Sequence, residues 1–260
     1  MAESILIQTL LRKQSQRVPV WFMRQAGRYL PEYLEIKSKF KTIEMFKDPE
    51  IASKITLQPL KRFPLDAAII YADILLIPDA MGYGLEFIEN IGPIFEKKID
   101  SKACLEFLAE KVDKEAEFIL ENLSYVFKTV ENTKTNLAKG KALLGFAGSP
   151  FTVLTYMIEG KSPQKNFLKT KKLLFSYPNE FHRAMKALSG ITTQYLLSQI
   201  KHGVDAIQIF ESFSSVLGYD DYKEFVLPYL SDITRTISSY APNLCFFKWE
   251  VFSKKQRFGA

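Results

Sequence analysis

The stretch ALLGFAGSP, residues 142–150, reads as a buried strand that ends in a sharp turn. Ala142 to Phe146 is a continuous apolar run of strand length, and Gly148-Ser149-Pro150 supplies turn-forming residues directly after it. A long polar sequence of helical period, near Val112 to Thr133, precedes the run. A strand of this kind with a helix beside it in sequence favours an α/β fold.

The same strand–helix unit recurs on both sides of that stretch. Each apolar run is followed by a polar or glycine-rich turn and then by sequence of helical period. The other predicted strands are Val18–Phe22, Ala67–Tyr71, Ala206–Phe210 and Leu244–Phe247, and the other predicted helices are a short one over Ile5–Leu11 after Ser4, Tyr33–Phe40, Pro49–Arg62, Phe181–His202 and Tyr222–Ser239. This alternation predicts parallel strands in one α/β domain, either a barrel or a doubly wound sheet.

Composition places the 260-residue chain among ordinary globular proteins, with 47% hydrophobic and 25% charged residues. That excludes the disordered, collagen-like and disulfide-scaffold classes. The net charge of +6 permits an anionic partner. Because the basic residues are dispersed and form no known nucleic-acid-binding motif, we expect no nucleic-acid partner.

Glycines and a proline interrupt the longest uncharged stretch, 142–158, so we expect no membrane span. Only two cysteines, Cys104 and Cys245, are present and far apart, which suits a reducing compartment.

Chemically useful side chains follow the predicted strands at their carboxyl ends, where parallel α/β folds carry their sites. Arg24 and Arg28 stand four residues apart after the first strand. A helical turn there would direct both guanidinium groups to one space and suit carboxylates or phosphates, whereas solvated surface arginines are the alternative. Asp73 lies between two apolar runs, so its carboxylate needs donors or a positive charge. A helix N-cap is the alternative for this residue.

Hydroxyl groups follow the third and fourth predicted strands. Tyr156 and Ser212 can bind a ligand, although residues of these types are often a packed aromatic and a turn residue. His182 and His202 both fall in the helix before the fourth strand, away from the strand ends. The sequence therefore predicts neither a metal site nor a catalytic triad. Without a GxGxxG or Walker motif, it predicts no nucleotide cofactor either.

Longer motifs carry a resemblance to a known family. The sixteen residues VPVWFMRQAGRYLPEY, 18–33, closely resemble the N-terminal signature of uroporphyrinogen decarboxylase. Residues 145–160, with GFAGSPFT followed by YMIEG, resemble the second signature of the family. LQPLKRFPLDAAII, 57–70, and QIFES, 208–212, are similar to further segments of the family. The likeness runs in order from about residue 5 to about residue 248.

The resemblance implies a (β/α)₈ TIM barrel, normally a cytoplasmic homodimer, that needs neither metal nor cofactor. It implies removal of CO₂ from the four acetate side chains of uroporphyrinogen III, giving coproporphyrinogen III in porphyrin and heme biosynthesis. Asp73, Arg24 and Arg28 match the positions to which catalysis is assigned. The substrate-binding positions that the resemblance implies are Arg24, Gln25, Ala26, Gly27, Arg28, Lys37, Asp73, Tyr156 and Ser212.

The residue types suit this reaction. A substrate with eight carboxylates needs cations such as Arg24 and Arg28, and an ionised Asp73 can accept hydrogen bonds from pyrrole N–H groups. Protonation of the ring carbon that bears the acetate makes a cationic pyrrole, into which the electrons of the C–CO₂ bond flow. A nearby carboxylate stabilises that cation. The proton donor is open among an arginine-bound substrate carboxyl, an arginine and a water.

Compared with the family, the sequence shows about five of eight strand–helix units. The likeness stops after Lys248, and residues 249–260 read as a divergent tail, without the histidine that the family places after its last strand. We therefore expect one incomplete barrel domain of marginal stability, from a truncated or frame-shifted reading frame. Two alternatives stay open. One is an inactive remnant that keeps an anion-binding cleft. The other is a related barrel methyltransferase, which would need a zinc site.

Overall fold

The structure, a computed structural model, describes residues 4–162, 166–241 and 245–250. Helices and strands alternate along most of the chain. In order they are α1 Ile5–Leu10, α2 Pro31–Lys37, α3 Thr42–Lys47, α4 Pro49–Arg62, β1 Ala67–Ile69, α5 Leu76–Ala80, β2 Leu85–Ile88, β3 Gly92–Phe95, α6 Lys102–Glu121, α7 Ser124–Asn136, β4 Ala142–Gly148, α8 Pro150–Glu159, α9 Leu168–Ser176, α10 Pro178–Lys201, β5 Ala206–Glu211, a 3₁₀ turn Ser214–Val216, α11 Tyr219–Phe225, α12 Leu227–Tyr240 and β6 Cys245–Glu250.

The described strands form a four-stranded parallel sheet in the order β1-β4-β5-β6. Ala67 pairs with Ala142, and Leu144 pairs with Ala206. β2 and β3 pair antiparallel in a separate hairpin. The predicted α/β class with parallel pairing is therefore confirmed. Because the parallel strands all point the same way, the loops that follow them meet at one edge of the sheet.

The centre of the sheet is fully buried and is fixed to the longest helix. Every residue of β4 and β5 is buried, which explains why both read as continuous apolar runs. Gln199 of α10 donates from Nε2 to the carbonyl oxygen of Phe146 and accepts its amide at Oε1, both at 2.9 Å. Gly145 makes room for this side chain, since a Cβ there would lie 2.3 Å from Gln199 Oε1. The amide thereby joins α10 to the carboxyl-terminal half of β4.

The first predicted strand, Val18–Phe22, is wrong. The segment lies beside β1 but forms no ladder with it. One backbone bond joins the two, from the Asp66 amide to the Val20 carbonyl at 2.8 Å. The Val20 amide donates instead to Asp66 Oδ2 at 2.7 Å, and Arg17 donates two bonds of 2.6 and 2.7 Å to the same carboxylate. Pro19 has no amide to donate, so a side chain rather than a strand ladder holds this segment.

Two long predicted helices are each divided in two. The helix predicted near Val112–Thr133 is α6 followed by α7. The helix predicted over Tyr222–Ser239 is α11 followed by α12, with a break at Val226. Pro228 occupies the first turn of α12, where its missing amide is tolerated. The helix predicted at Pro49–Arg62 is confirmed at both ends.

Strand boundaries also differ from the prediction. β1 ends at Ile69, two residues early, and β4 continues to Gly148. The β2–β3 hairpin has no counterpart in the sequence-based assignment. Leu244 of the fifth predicted strand lies outside the described residues, and β6 continues to Glu250, past the predicted start of the tail. The remainder of that tail, 251–260, also lies outside the described residues.

Candidate active site

A cavity of about 400 Å³ opens at the carboxyl edge of the parallel sheet. Its walls come from the segment before α2, the loop after β1, the ends of β4 and β5, helix α8 and the turn end of the β2–β3 hairpin. The lining residues are Met23, Arg24, Gln25, Ala26, residues 69–75, Pro93, Phe146, Tyr156, Phe210 and Ser212. The fold thus brings together six of the residues singled out in the sequence: Arg24, Gln25, Ala26, Asp73, Tyr156 and Ser212.

Asp73 lies in the loop between β1 and α5, where the chain leaves the sheet. Its Oδ1 accepts the amide N–H of Leu75 at 2.9 Å. Leu75 itself holds the N-cap position of α5, so the N-cap interpretation of Asp73 is wrong. Gly148 allows this loop to approach β4, since a Cβ there would lie 3.0 Å from the Cβ of Ile74. Asp73 is therefore fixed by its own loop and by the close approach of the next strand.

The pKa of the Asp73 carboxyl group is raised toward neutral pH. Its removal from water raises the pKa of Asp73 to about 6, although the Leu75 amide and the positive charge of Arg24 act to lower it. Burial also raises the pKa of the Tyr156 hydroxyl, the charge of Asp73 adds to that rise, and Arg24 opposes it. Arg24, Asp73 and Tyr156 therefore share one electrostatic environment.

Gln25 anchors the segment that carries Arg24. Its side chain is 3% exposed, and its Nε2 donates to the carbonyl oxygen of Ala67 at 2.9 Å. Its Oε1 accepts the amide of Phe22 at 3.2 Å, and the Tyr29 hydroxyl donates to its carbonyl oxygen. Within the described chain, both polar atoms of the Gln25 side chain are therefore hydrogen-bonded, and the bond to Ala67 holds the segment of Arg24 beside β1.

Tyr156 and Ser212 reach the cavity from neighbouring elements. Tyr156 lies on α8, and its ring packs against Phe213 with centroids 5.1 Å apart. Ser212 directly follows β5, and its amide donates to Thr152 Oγ1 at 2.9 Å. Two hydroxyl groups thus line the wall of the cavity formed by α8 and β5.

Gly27, Arg28 and Lys37 lie outside the lining of this cavity. Helix α2 begins only at Pro31, so the helical turn expected to align Arg24 with Arg28 does not form, and that prediction is wrong. Arg28 is exposed at the surface. Lys37 donates to Thr42 Oγ1 at 2.9 Å, between α2 and α3.

Aromatic walls are the main feature that sequence reasoning missed. Phe146 and Phe210 meet edge to face, with centroids 5.4 Å apart, and both line the cavity. Tyr71 lines it as well, and its hydroxyl lies 3.0 Å from that of Tyr33. Each of the three residues ends one of the predicted strands, so their position alone could have marked them.

The two histidines lie away from the cavity, as the sequence indicates. His182 Nδ1 lies 2.7 Å from the Tyr229 hydroxyl, and His202 Nδ1 lies 2.6 Å from the carbonyl oxygen of Ser198. Within residues 4–162, 166–241 and 245–250, no group of three or more His, Cys, Asp or Glu side chains is arranged to hold a metal ion. Over the same residues, no helix combines the length and apolar character that a bilayer crossing requires.

Comparison with known sequences decides the family. Residues 1–253 match the family described as Uroporphyrinogen decarboxylase (URO-D). The chain belongs to the uroporphyrinogen decarboxylase family. The match ends at residue 253, five residues past the end of the likeness that the sequence predicts.

Curated relatives named uroporphyrinogen decarboxylase align with most of the chain. Those of Chloroherpeton thalassium, Dichelobacter nodosus and Alkalilimnicola ehrlichii are 41%, 42% and 44% identical over 240, 249 and 237 residues. The alignments cover 92%, 95% and 91% of this chain, and 66%, 70% and 63% of the respective relatives. The chain therefore spans about two thirds of the length of the curated relatives it matches.

Among solved structures, a methyltransferase from Methanosarcina mazei shares the fold. The TM-score is 0.73, with 95% of this chain and 69% of that chain covered, at 15% sequence identity. At that identity the likeness concerns the backbone arrangement alone. It supports the α/β architecture of this uroporphyrinogen decarboxylase family member.

Proposed function

We propose that the protein removes CO₂ from the four acetate side chains of uroporphyrinogen III and so forms coproporphyrinogen III. This is a carboxy-lyase reaction of porphyrin and heme biosynthesis. The observation that carries the proposal is the convergence of Arg24, Asp73 and Tyr156 on one cavity, in a chain of the uroporphyrinogen decarboxylase family.

Cationic side chains bind the carboxylates of the substrate. Arg24, in the cavity wall, forms a charge-assisted pair with one of them, and its planar guanidinium suits a bidentate contact. Arg28 and Lys37, outside the wall, serve as outer contacts for carboxylates that extend beyond the cavity. Gln25 and Ala26 form the cavity wall next to Arg24, and Gly27 continues the backbone outward to Arg28.

Asp73 recognises the centre of the macrocycle. In its ionised form it is an acceptor only, which matches the inward-facing N–H groups of the pyrroles. Substrate N–H donors and a developing ring cation both favour the carboxylate over the neutral acid. They therefore oppose the desolvation that raises the pKa of this group to about 6 in the free protein.

The chemical step uses the pyrrole as its own electron sink. A proton adds to the ring α-carbon next to the carbon that bears the acetate, and the resulting positive charge is shared by the acetate-bearing carbon. Protonation of the acetate-bearing carbon itself, as expected from the sequence, would saturate that carbon and prevent it from forming the double bond. The C–CO₂⁻ bond then breaks, CO₂ leaves, and the bonding pair neutralises the ring as an exocyclic methylene forms. A second proton adds to the methylene carbon, and loss of the first restores the aromatic pyrrole with a methyl group. Asp73 stabilises both cationic stages electrostatically.

The hydroxyl groups of Tyr156 and Ser212 position the substrate. Each donates a hydrogen bond to a side-chain carboxylate and so fixes which acetate lies beside the reacting ring. The burial-raised pKa of Tyr156 keeps its hydroxyl protonated as a donor. Aromatic Phe146 and Phe210 supply the apolar surface for the macrocycle.

The proposal extends to architecture and assembly. The parallel sheet is part of an incomplete (β/α)₈ barrel with about five of eight strand–helix units, and the chain works as a cytoplasmic homodimer without metal, cofactor or nucleic-acid partner. Equilibrium sedimentation tests the dimer, which is expected at twice the 29.9 kDa chain mass.

Anaerobic incubation with uroporphyrinogen III tests the activity. Products are oxidised and separated by carboxyl number, and we expect loss of one carboxyl group at a time down to four. Asp73→Asn keeps the shape but removes the charge, so it should slow the reaction about a hundredfold or more. Asp113→Asn, at an exposed position of α6, is the matched control and should react as the wild type does.

Absence of product from soluble, folded protein would overturn the proposed activity. Uroporphyrin binding without turnover would then identify the chain as an anion-binding remnant. Equal rates for the Asp73→Asn and Asp113→Asn variants would instead remove Asp73 from the mechanism.

A further inference from the structure

A buried carboxylate lies between two residues of the cavity wall. Glu211, the last residue of β5, follows Phe210 and precedes Ser212, and its side chain is fully buried. Its Oε1 accepts bonds from the amides of Phe213 and Ser214 at 2.8 and 2.9 Å. Both amides belong to the loop that carries Ser212, so one carboxylate oxygen binds the backbone of that loop at two consecutive residues.

The same carboxylate binds the first turn of α8. Thr152 Oγ1 donates to Glu211 Oε1 at 2.8 Å, and Ser149 Oγ donates to Oε2. Ser149 is the N-cap residue of α8, and Tyr156 lies one turn beyond Thr152 on that helix. Glu211 therefore connects the two elements that bring the hydroxyl groups of Tyr156 and Ser212 to the cavity.

The Thr152 hydroxyl completes the connection to Ser212. It donates its proton to Glu211 and accepts the Ser212 amide at 2.9 Å. Glu211 Oε1 already accepts two backbone amides, so it is an acceptor for Thr152 as well and fixes which way the hydroxyl proton points. That orientation leaves a lone pair of Thr152 Oγ1 free for the Ser212 amide.

We propose that Glu211, acting through the Thr152 hydroxyl, is the positioning residue that holds Ser212 in the cavity for a substrate carboxylate. The role deepens the proposed function and rests on it. Glu211 is itself fully buried and does not line the cavity, so it acts on the substrate only through the loop and the helix turn that it joins.

The location of these bonds distinguishes this role from general stabilisation. Burial raises the pKa of Glu211, so ionising this group costs folding free energy, and its hydrogen-bond donors offset that cost. All of those donors lie either in the loop of Ser212 or in the first turn of α8. The hydrogen bonds that offset the cost of ionising Glu211 therefore all lie in the wall of the cavity that carries the hydroxyl groups of Tyr156 and Ser212.

Thr152→Val is the main test, because it removes the hydroxyl and keeps the shape. We expect kcat/KM for uroporphyrinogen III to fall about tenfold, mostly through a higher KM. Thr152→Ser restores the hydroxyl and should return KM to within about threefold of the wild type. In a Ser212→Ala background, Thr152→Val should change KM much less, since the side chain that it positions is already gone.

Thr155→Val supplies a matched control on the same helix. Thr155 is also fully buried, and its hydroxyl has no hydrogen-bond partner in the described part of the chain. Its loss should leave KM unchanged. Equal effects of Thr152→Val and Thr155→Val on KM would overturn the proposal, as would failure of Thr152→Ser to restore it.

Amide hydrogen exchange tests the positioning without substrate. Thr152→Val should speed exchange of the Ser212 amide about tenfold, whereas Thr155→Val should not change it. Exchange at Ser212 within twofold of the wild type would overturn the positioning role. If the wild type shows this protection but neither binds uroporphyrin nor releases CO₂, the proposed function fails while the effect of Thr152 on the loop is still measured.

Discussion

Asp73 is held in the cavity at a cost in folding free energy. Its pKa rises from an ordinary value of 3.8 to about 6 because the cavity removes it from water. The folded protein therefore binds the proton more tightly than the unfolded chain does. The neutral form is tolerated below pH 4, and the penalty grows as pH rises through 4 to 6. Above pH 6 it reaches at most about 3 kcal/mol.

Replacement of Asp73 by asparagine should stabilise the fold. At pH 8, Asp73→Asn is expected to raise the free energy of unfolding by about 1–3 kcal/mol, because the desolvated charge is gone. The gain should shrink as pH falls from 6 to 4. Urea denaturation at several pH values measures it, with Asp113→Asn as the exposed control. A gain that is the same at pH 4 and pH 8 would contradict the electrostatic cause.

Turnover should follow the ionisation of the same group. Below about pH 6, kcat/KM is expected to fall roughly tenfold for each pH unit, since in the proposed mechanism only the ionised carboxylate of Asp73 binds pyrrole N–H groups. Initial rates between pH 5 and 8 measure the profile. A profile that stays flat down to pH 5 would show that substrate binding does not depend on the charge of Asp73.

At the scale of elements, burial decided what the sequence could predict. β4 and β5 are buried along their whole length, so their sequences are continuous apolar runs that predict strands. The ends of these runs correctly predicted where the cavity lies. The segment Val18–Phe22 has an equally apolar sequence, but Asp66 captures its amide in place of a neighbouring strand. The short hairpin was missed because its strands are only partly buried.

The sequence likewise predicted part of the candidate site, namely the residues that follow strand ends. Topology brought residues such as Asp73 and Ser212 from separate strand ends to one edge. The position of Arg28 outside the cavity was not predicted from the sequence, because it depends on α2 starting at Pro31 rather than one turn earlier. The role of Glu211 was equally hidden, since a carboxylate at a strand end has the same sequence pattern whether buried or exposed.

The connection between α10 and β4 can be tested by one substitution. Gln199→Leu leaves the amide and carbonyl of Phe146 buried without partners, so it should lower the free energy of unfolding by about 2–4 kcal/mol. Urea denaturation measures the change. Thr193→Val, on the same helix, removes a bond within α10 and should cost less than about 1 kcal/mol. An equal loss of unfolding free energy in both variants would show that the Gln199 side-chain amide does not stabilise the contact between α10 and β4.

The whole molecule exposes apolar surface beside β1. Val18, Phe22 and Tyr29 are 81%, 61% and 56% exposed. Phe22 and Tyr29, with Phe63, also line a groove of about 550 Å³ on this side. A contiguous exposed apolar surface promotes association between molecules.

Self-association should therefore depend on Phe22. Phe22→Lys is expected to reduce aggregation of the purified chain at 37 °C several-fold. Phe107→Lys on α6 is the matched control, since that side chain is also 61% exposed and the added charge is identical. Light scattering over time measures both. Equal reduction by the two variants would assign the effect to net charge rather than to the surface beside β1.

The cavity draws on residues that leave the ribosome far apart in time. Arg24 and Ser212 are separated by about 190 residues. At about 5–20 residues per second, roughly 10 to 40 seconds pass between their synthesis. During that interval the apolar segment with Phe22 has been made but the wall completed by β5 has not. The nascent chain therefore carries an exposed apolar surface and an incomplete cavity through most of its own translation, which is the interval in which it is most prone to aggregate.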